Sequence, residues 1–190
     1  MKKLKFKGTP QLETERLILR RIRPSDEDDI FEYGSDDEVS KFVVWNTHKT
    51  IEDTRSFINF TLARYEKDEA GEWGIVLKEN GKLIGTIGFP WCDVRNRRAE
   101  LGYVLSRTYW GQGIMPEGVK KVLEFAFTEM ELNRVECCHV TDNEKSGRVM
   151  QKAGMRFEGI AREKIFAKNR YWDVKQYAIL RSDWIKQQTP

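Results

Sequence analysis

The sequence predicts an α/β (α+β) fold, a mixed β-sheet flanked by helices. Three observations predict it. Period-two runs of apolar residues alternate with runs at helical spacing along the whole chain. The order of these runs is β-α-α-β-β-β-α-β-α-β-β, about seven strands and about four helices, which is not a doubly wound order. No repeat, low-complexity segment or Pro/Gly/Ser-rich linker divides them, so residues 1–190 are expected to form one domain.

Arg16 to Arg23 alternates, with Leu17 and Leu19 opposing Ile18 and Arg20. It reads as a strand stopped by Pro24. Ser25 and Asp28 form a Ser-x-x-Asp signature, which predicts a short helix to about Tyr33. Thr50 and Asp53 repeat that signature. Phe57, Ile58, Thr61, Leu62 and Tyr65 follow at helical spacing, so a second helix is expected to about Glu66.

Trp73 to Lys78 and Lys82 to Trp91 read as strands joined at Asn80-Gly81, a pair suited to a type I′ hairpin turn. Arg98 to Ser106 is the fourth strand. Ala99, Leu101, Tyr103 and Leu105 lie on one face, and Glu100, Gly102 and Val104 on the other. Val119, Val122, Leu123, Ala126, Phe127 and Met130 predict a third helix. Arg134 to Thr141 reads as a strand, and Asn143 to Ala153 as a helix closed by Gly154. Phe157 to Ala167 and Trp172 to Leu180 complete the set. Right-handed crossovers are expected over residues 98–166.

Composition narrows the function. Of 190 residues, 39% are hydrophobic and 33% charged, and the net charge is only +3, which points to a soluble globular protein without a basic face for nucleic acid. No apolar run approaches the roughly 18 residues of a membrane helix. The basic start, Met1 to Lys7, lacks the apolar stretch of a signal peptide, so a cytoplasmic location is expected. Cys92, Cys137 and Cys138 make a poor disulfide framework and, with only two histidines, a poor zinc site. Cys137 and Cys138 read as strand residues.

Two segments carry chemistry. The first is Tyr109-Trp110-Gly111-Gln112-Gly113-Ile114-Met115-Pro116-Glu117, between a strand and a helix. Its glycines let backbone N–H groups approach a ligand, and the helix start adds unpaired donors and a positive dipole end. Such a turn suits a pyrophosphate; it could equally be a plain strand-to-helix connection. The second is Asp142-Asn143-Glu144-Lys145-Ser146, leading to Gly154-Met155-Arg156-Phe157-Glu158-Gly159. Asn143 could simply cap the helix, and Ser146 could be an exposed serine.

Together these segments are similar to the GNAT superfamily of N-acetyltransferases, and to its Rim-type branch, which acetylates protein N-termini. The resemblance begins at Leu12-Glu13-Thr14-Glu15-Arg16-Leu17-Ile18-Leu19-Arg20. It continues through Glu100-Leu101-Gly102-Tyr103-Val104-Leu105 and the Gly-Gln-Gly turn to the Asn-x-x-Ser helix, almost the whole chain. It implies a strongly twisted sheet that splays between its fourth and fifth strands, with acetyl-CoA in the split. Tyr103, Val104 and Leu105 match the strand that pairs with the pantetheine arm. Gly111, Gln112, Gly113, Ile114 and Met115 match the pyrophosphate loop. Asn143 matches a residue that holds the pantetheine, and Ser146 the position expected to protonate the leaving thiolate. One departure is Thr108, with Arg107 before it, where the superfamily motif often has Gln or Arg.

The implied reaction passes an acetyl group to a primary amine. Glu100 is the candidate base, acting directly or through water; the alternative is a carboxylate that faces solvent or pairs with an arginine. Backbone N–H groups near Val104 are expected to stabilise the oxyanion. Tyr103 could act as an acid, unless its side chain points to the core. Trp45, Trp91, Trp172 and His48 are candidate pocket residues. The expected acceptor is the N-terminal α-amino group of a protein or peptide. A small-amine or aminoglycoside-like acceptor is the alternative on the same scaffold. A non-catalytic acyl-CoA sensor is a more distant one. A monomer or homodimer without a nucleic-acid or membrane partner is expected.

Overall fold

The computed structural model describes residues 8–67 and 71–188. The basic start, Met1 to Lys7, lies outside the described residues. Eight strands form one sheet: β1 (Leu12–Glu13), β2 (Leu17–Arg21), β3 (Glu72–Leu77), β4 (Leu83–Asp93), β5 (Arg98–Leu105), β6 (Arg134–Val140), β7 (Arg156–Ala167) and β8 (Arg170–Leu180). The helices are α1 (Glu27–Gly34), α2 (Asp37–Ser40), α3 (Ile51–Glu66), α4 (Ile114–Thr128), α5 (Glu144–Lys152) and α6 (Arg181–Gln188). Among the described residues, none of these helices is long and apolar enough to cross a membrane.

The sheet order is β1-β2-β3-β4-β5-β6-β8-β7. Pairing is antiparallel except between β5 and β6, which run parallel. The β5–β6 pairing covers only Arg98, Ala99 and Glu100 against Arg134, Val135 and Glu136. Beyond Glu100 the two strands diverge, and the sheet opens into a V. This is the expected split between the fourth and fifth strands, one number higher here because β1 precedes them.

Period-two alternation sorts the core onto two faces. Leu17, Leu19, Ile75, Ile87, Ala99, Leu101 and Leu105 pack with α4 and α5 in one cluster. Ile18, Val76, Leu83 and Val104 pack with α1 and α3 in a second. Trp73 is fully buried in the first cluster, with edge-on contacts to Phe89 and Phe125 at centroid distances of 6.2 and 5.6 Å. Such pairs add about 0.5–1.5 kcal/mol beyond their buried area.

Several local expectations need correction. Ser25 does not cap α1. Pro24 starts a 3₁₀ turn, Pro24–Asp26, which Asp26 caps by accepting the Arg23 N–H at 2.7 Å, and α1 itself has no side-chain cap bond. The Asp26 carboxylate is also held by Arg20 at 2.8 Å, which leaves α1 to start at Glu27. Asn80-Gly81 does not form a two-residue I′ turn. The loop spans Lys78 to Gly81, only Gly81 has positive φ (73°), and its N–H bonds back to Leu77 O at 2.9 Å. Asn80 instead accepts the Lys82 N–H at 3.0 Å. The short β1, α2 and α6 were not expected, because elements of two to eight residues carry little periodicity. The Thr50/Asp53 box is present at the start of α3, and Gly154 closes α5 at φ +86°.

Candidate active site

Two cavities meet at the open end of the V. The larger, of about 640 Å³, lies between the β5–α4 turn and the start of α5. The smaller, of about 470 Å³, lies on the α1/α3 side of β5. Tyr103, Val104, Asn143 and Ser146 line both, as do Phe42 and Val43 from the segment after α2.

The larger cavity gathers most of the residues expected to hold a cofactor: Tyr103, Val104, Leu105, Gly111, Gly113, Ile114, Met115 and Asn143. Gly111 and Gly113 adopt φ of +79° and +76°, a region that L side chains enter at a cost of about 1–2 kcal/mol. A Cβ on Gly111 would meet nothing within 4 Å, so the loop presents bare backbone to an open space. Gln112 differs from expectation. Its side chain turns back to donate to Thr108 O at 3.0 Å, so only its backbone belongs to the loop surface. Thr108 therefore holds the loop through its carbonyl.

The loop is fixed from an unexpected direction. Arg16 donates to Gln112 O at 3.0 Å and to Glu117 at 2.7 Å, while Thr14 donates to Glu117 at 2.5 Å. The Thr-Glu-Arg segment at the start of the chain thus clamps the first turn of α4. Glu117 is part-buried, and burial works to raise its pKa. Hydrogen bonds from Thr14 and from the Arg16 backbone and side chain outweigh that and hold it below the usual carboxylate range.

The far wall of the larger cavity carries three basic residues beside Asp142 and Glu144. Lys145, Arg148 and Lys152 recur along α5 and all line it. Lys145 Nζ sits 4.4 Å from the centroid of Trp110, whose indole N–H donates to Leu105 O at 2.8 Å. This stripe was readable as a helical repeat of positive charge. Its facing toward the glycine turn was not.

The polar side chains that border the gap come from opposite faces of β5. The Tyr103 ring packs against the core cluster, but its hydroxyl does not end there. Its hydroxyl reaches across the split to Ser146, 2.9 Å from Oγ and 3.1 Å from the backbone oxygen. Burial raises the phenol pKa well above its ordinary value, so Tyr103 stays protonated. Asn143 is the N-cap of α5 and accepts the Ser146 N–H at 3.3 Å, which fixes the serine at the mouth of the split. Ser106 N–H bonds to Ile84 O at 2.8 Å, and strand peptides alternate in direction. Val104 therefore faces β4, and the N–H groups of Tyr103 and Leu105 face the split.

Glu100 stands on the other face and lines only the smaller cavity. Its side-chain neighbour is the Cys138 thiol, with Sγ 3.7 Å from the carboxylate. Burial and the Glu100 charge push that thiol up to about 11, so it remains protonated. Cys137, on the opposite face of β6, is buried in the core. Trp45, Trp91 and His48 also line the smaller cavity; Trp172 does not, but backs Phe42 at a centroid distance of 6.3 Å. His48 is kept neutral by burial. Tyr33, Glu72 and Thr86 also line this cavity and were not anticipated. They come from three separate elements, and no sequence spacing connects them.

Comparisons with known proteins identify the family and the fold. A family model described as an acetyltransferase (GNAT) domain matches residues 16–156. An N-acetyltransferase of Bacillus subtilis, YoaA, is 36% identical over 172 residues, 90% of this chain and 97% of that one. The ribosomal-protein-serine acetyltransferase of Escherichia coli is 32% identical over 128 residues, covering 67% of this chain and 70% of the relative. A GNAT-family acetyltransferase structure from Bacillus anthracis superposes with a TM-score of 0.82 at 31% identity, covering 91% of this chain and 99% of the other. With its diverging parallel strands, its glycine turn before α4 and this match over most of its length, the chain belongs to the GNAT family of N-acetyltransferases.

Proposed function

We propose that this enzyme transfers the acetyl group of acetyl-CoA to a primary amine, and that the amine is the N-terminal α-amino group of a protein or peptide. One observation carries the reading: the Glu100 carboxylate and the Tyr103 hydroxyl, which bonds to Ser146 of α5, stand on opposite faces of β5 and border one gap in the sheet. Acetyl-CoA supplies the activated acyl thioester. The larger cavity fits it, with glycine backbone and the α4 N-terminus for a pyrophosphate and Lys145, Arg148 and Lys152 for further phosphate charge.

Glu100 accepts a proton from the incoming ammonium, directly or through water. An α-amino group, with a pKa of about 8, gives up that proton more readily than a lysine side chain at about 10.4. The N–H groups of Tyr103 and Leu105 serve a developing negative charge on the acyl oxygen. Ser146 donates the proton needed by the leaving sulfur, and Tyr103, bonded to Ser146 Oγ, restores it. The likeness to the ribosomal-protein-serine acetyltransferase supports a protein acceptor. We place the reaction in the cytoplasm, where the free thiols Cys92, Cys137 and Cys138 stay reduced.

Calorimetric titration with acetyl-CoA, for the native chain and for the Gly111→Asp/Gly113→Asp variant, tests the cofactor site. Binding by the first and loss in the second are expected. Absence of binding by folded native protein at millimolar acetyl-CoA would overturn it. Mass spectrometry of acetylated peptides then locates the acetyl group. Transfer to small amines alone would move the acceptor to that class.

A further inference from the structure

The smaller cavity holds a second carboxylate for which the transfer chemistry has no use. Glu72 opens β3, which pairs with β4, and β4 pairs with β5. The register places Glu72 opposite Gly88, and Gly88 opposite Gly102. Paired residues share a face, so this row crosses three strands with a carboxylate at one end and two glycines after it. A Cβ on Gly88 would lie 2.6 Å from Glu72 Cα, so the glycine is what lets Glu72 fold over the sheet. A Cβ on Gly102 would meet only Pro90, at 3.5 Å. The floor beside Glu72 is therefore bare at Gly88 and Gly102, while Pro90 and Trp91, the residue paired with Glu100, line the end near Glu100. Two interstrand spacings separate the strands of Glu72 and Glu100, on the order of 10 Å.

The groups around Glu72 are known. Thr86 from β4 and Tyr33 from α1 line the cavity beside it, and Arg64 from α3 and Thr86 both draw its pKa down. The Arg64 guanidinium also donates to Phe89 O at 3.2 Å. Burial outweighs the pull of Arg64 and holds the Glu72 carboxyl above its ordinary range. A desolvated carboxylate gains more from an arriving cation than a solvated one does. Trp45 and Phe57 line the same cavity with aromatic rings, the side chains that favour a cation, and neutral His48 adds no repulsion.

We propose that Glu72 is a specificity residue that binds a second cationic group of the acceptor. The preferred substrate is then an amine carrying another positive charge within reach, such as a peptide with lysine or arginine next to its terminus. This rests on the acetyltransfer reading above. Glu100 takes the proton from the reacting nitrogen, and Glu72 holds the second cation across the glycine floor.

The test uses matched acceptors: two peptides differing only by lysine or norleucine at the second position, and cadaverine against pentylamine. The native enzyme is expected to favour the charged member of a pair by roughly tenfold or more in kcat/KM, within the range of a desolvated charge pair. Glu72→Gln should erase that preference through the KM of the charged member alone. Glu72→Lys should turn it toward a peptide with glutamate at the second position. Acetyl-CoA titration checks that each variant is folded. Equal kcat/KM for both members with native enzyme overturns the proposal, as does an undiminished preference in a folded Glu72→Gln. A preference for cadaverine with no peptide acetylation sustains Glu72 and removes the peptide acceptor. Turnover of neither pair by enzyme that binds acetyl-CoA removes both.

Discussion

At the scale of single residues, the proton delivery we propose rests on the hydrogen-bonded pair of Tyr103 and Ser146. A serine hydroxyl alone is a weak acid; its proton must be replaced. The phenol 2.9 Å away does this only while protonated, and burial keeps it so. Tyr103→Phe should therefore lower kcat by about 10²-fold, the lower range of acid–base contributions, with the KM for acetyl-CoA little changed. Steady-state kinetics at saturating acceptor checks this. The sign of the pH profile also follows. Raising the pH frees more neutral amine, so kcat/KM should climb toward the acceptor's pKa of about 8. Because the Tyr103 pKa is raised, no decline attributable to it should appear near pH 10. A falling limb there that vanishes in Tyr103→Phe would refute this assignment.

At the scale of elements, the β5–α4 turn depends on a contact about a hundred residues away in sequence. Arg16 and Thr14 hold Glu117 in the first turn of α4, and Arg16 also holds the loop carbonyl of Gln112. Arg16→Met should raise the KM for acetyl-CoA while leaving kcat within about twofold, because the loop loses its clamp but the proton-transfer groups do not move. The Glu117 contribution depends on pH. Its folded pKa is depressed, so the stabilisation is complete above the unfolded value of about 4.3 and is lost as pH falls through the folded value. Glu117→Gln should therefore melt below the native protein at pH 7, and the gap should close in acid. A gap that stayed constant from pH 7 to pH 3 would assign Glu117 to packing rather than charge.

At the scale of the whole molecule, the V divides the sheet into β1–β5 and β6–β8, joined by a short parallel ladder beside Glu100. A ligand that touches Tyr103 and Leu105 on one arm and Asn143 and Ser146 on the other fastens the two parts. Acetyl-CoA at 100 times its Kd should stabilise the fold by about 2.7 kcal/mol, a rise of roughly 5–10 °C in Tm for a chain of this size. Differential scanning fluorimetry reads that rise. Adenosine diphosphate, lacking the arm that enters the split, should give less at matched saturation. An equal shift would show that stabilisation comes from the glycine turn alone.

What the sequence determined by itself is local. Alternation in β2 and β5 dictates which face each residue takes, since side chains of a strand point to opposite sides whatever surrounds it. Helical spacing places α3 and α4, the Thr50/Asp53 box starts α3, and Gly154 ends α5 for reasons of backbone geometry alone. The glycine turn and the Asn-x-x-Ser start of α5 were legible as motifs. The tertiary structure decided what no spacing encodes. Arg20 holds Asp26, which caps the 3₁₀ turn ahead of α1 where Ser25 was expected to cap the helix. Arg16 reaches Gln112, the Tyr103 hydroxyl reaches Ser146 while its ring packs on the core, and Glu72 folds over Gly88 into the smaller cavity. These contacts join residues 6 to 96 positions apart. Only chain closure brings such groups together, and the missing β5–β6 hydrogen bonds that open the active site depend on how two strands diverge in space.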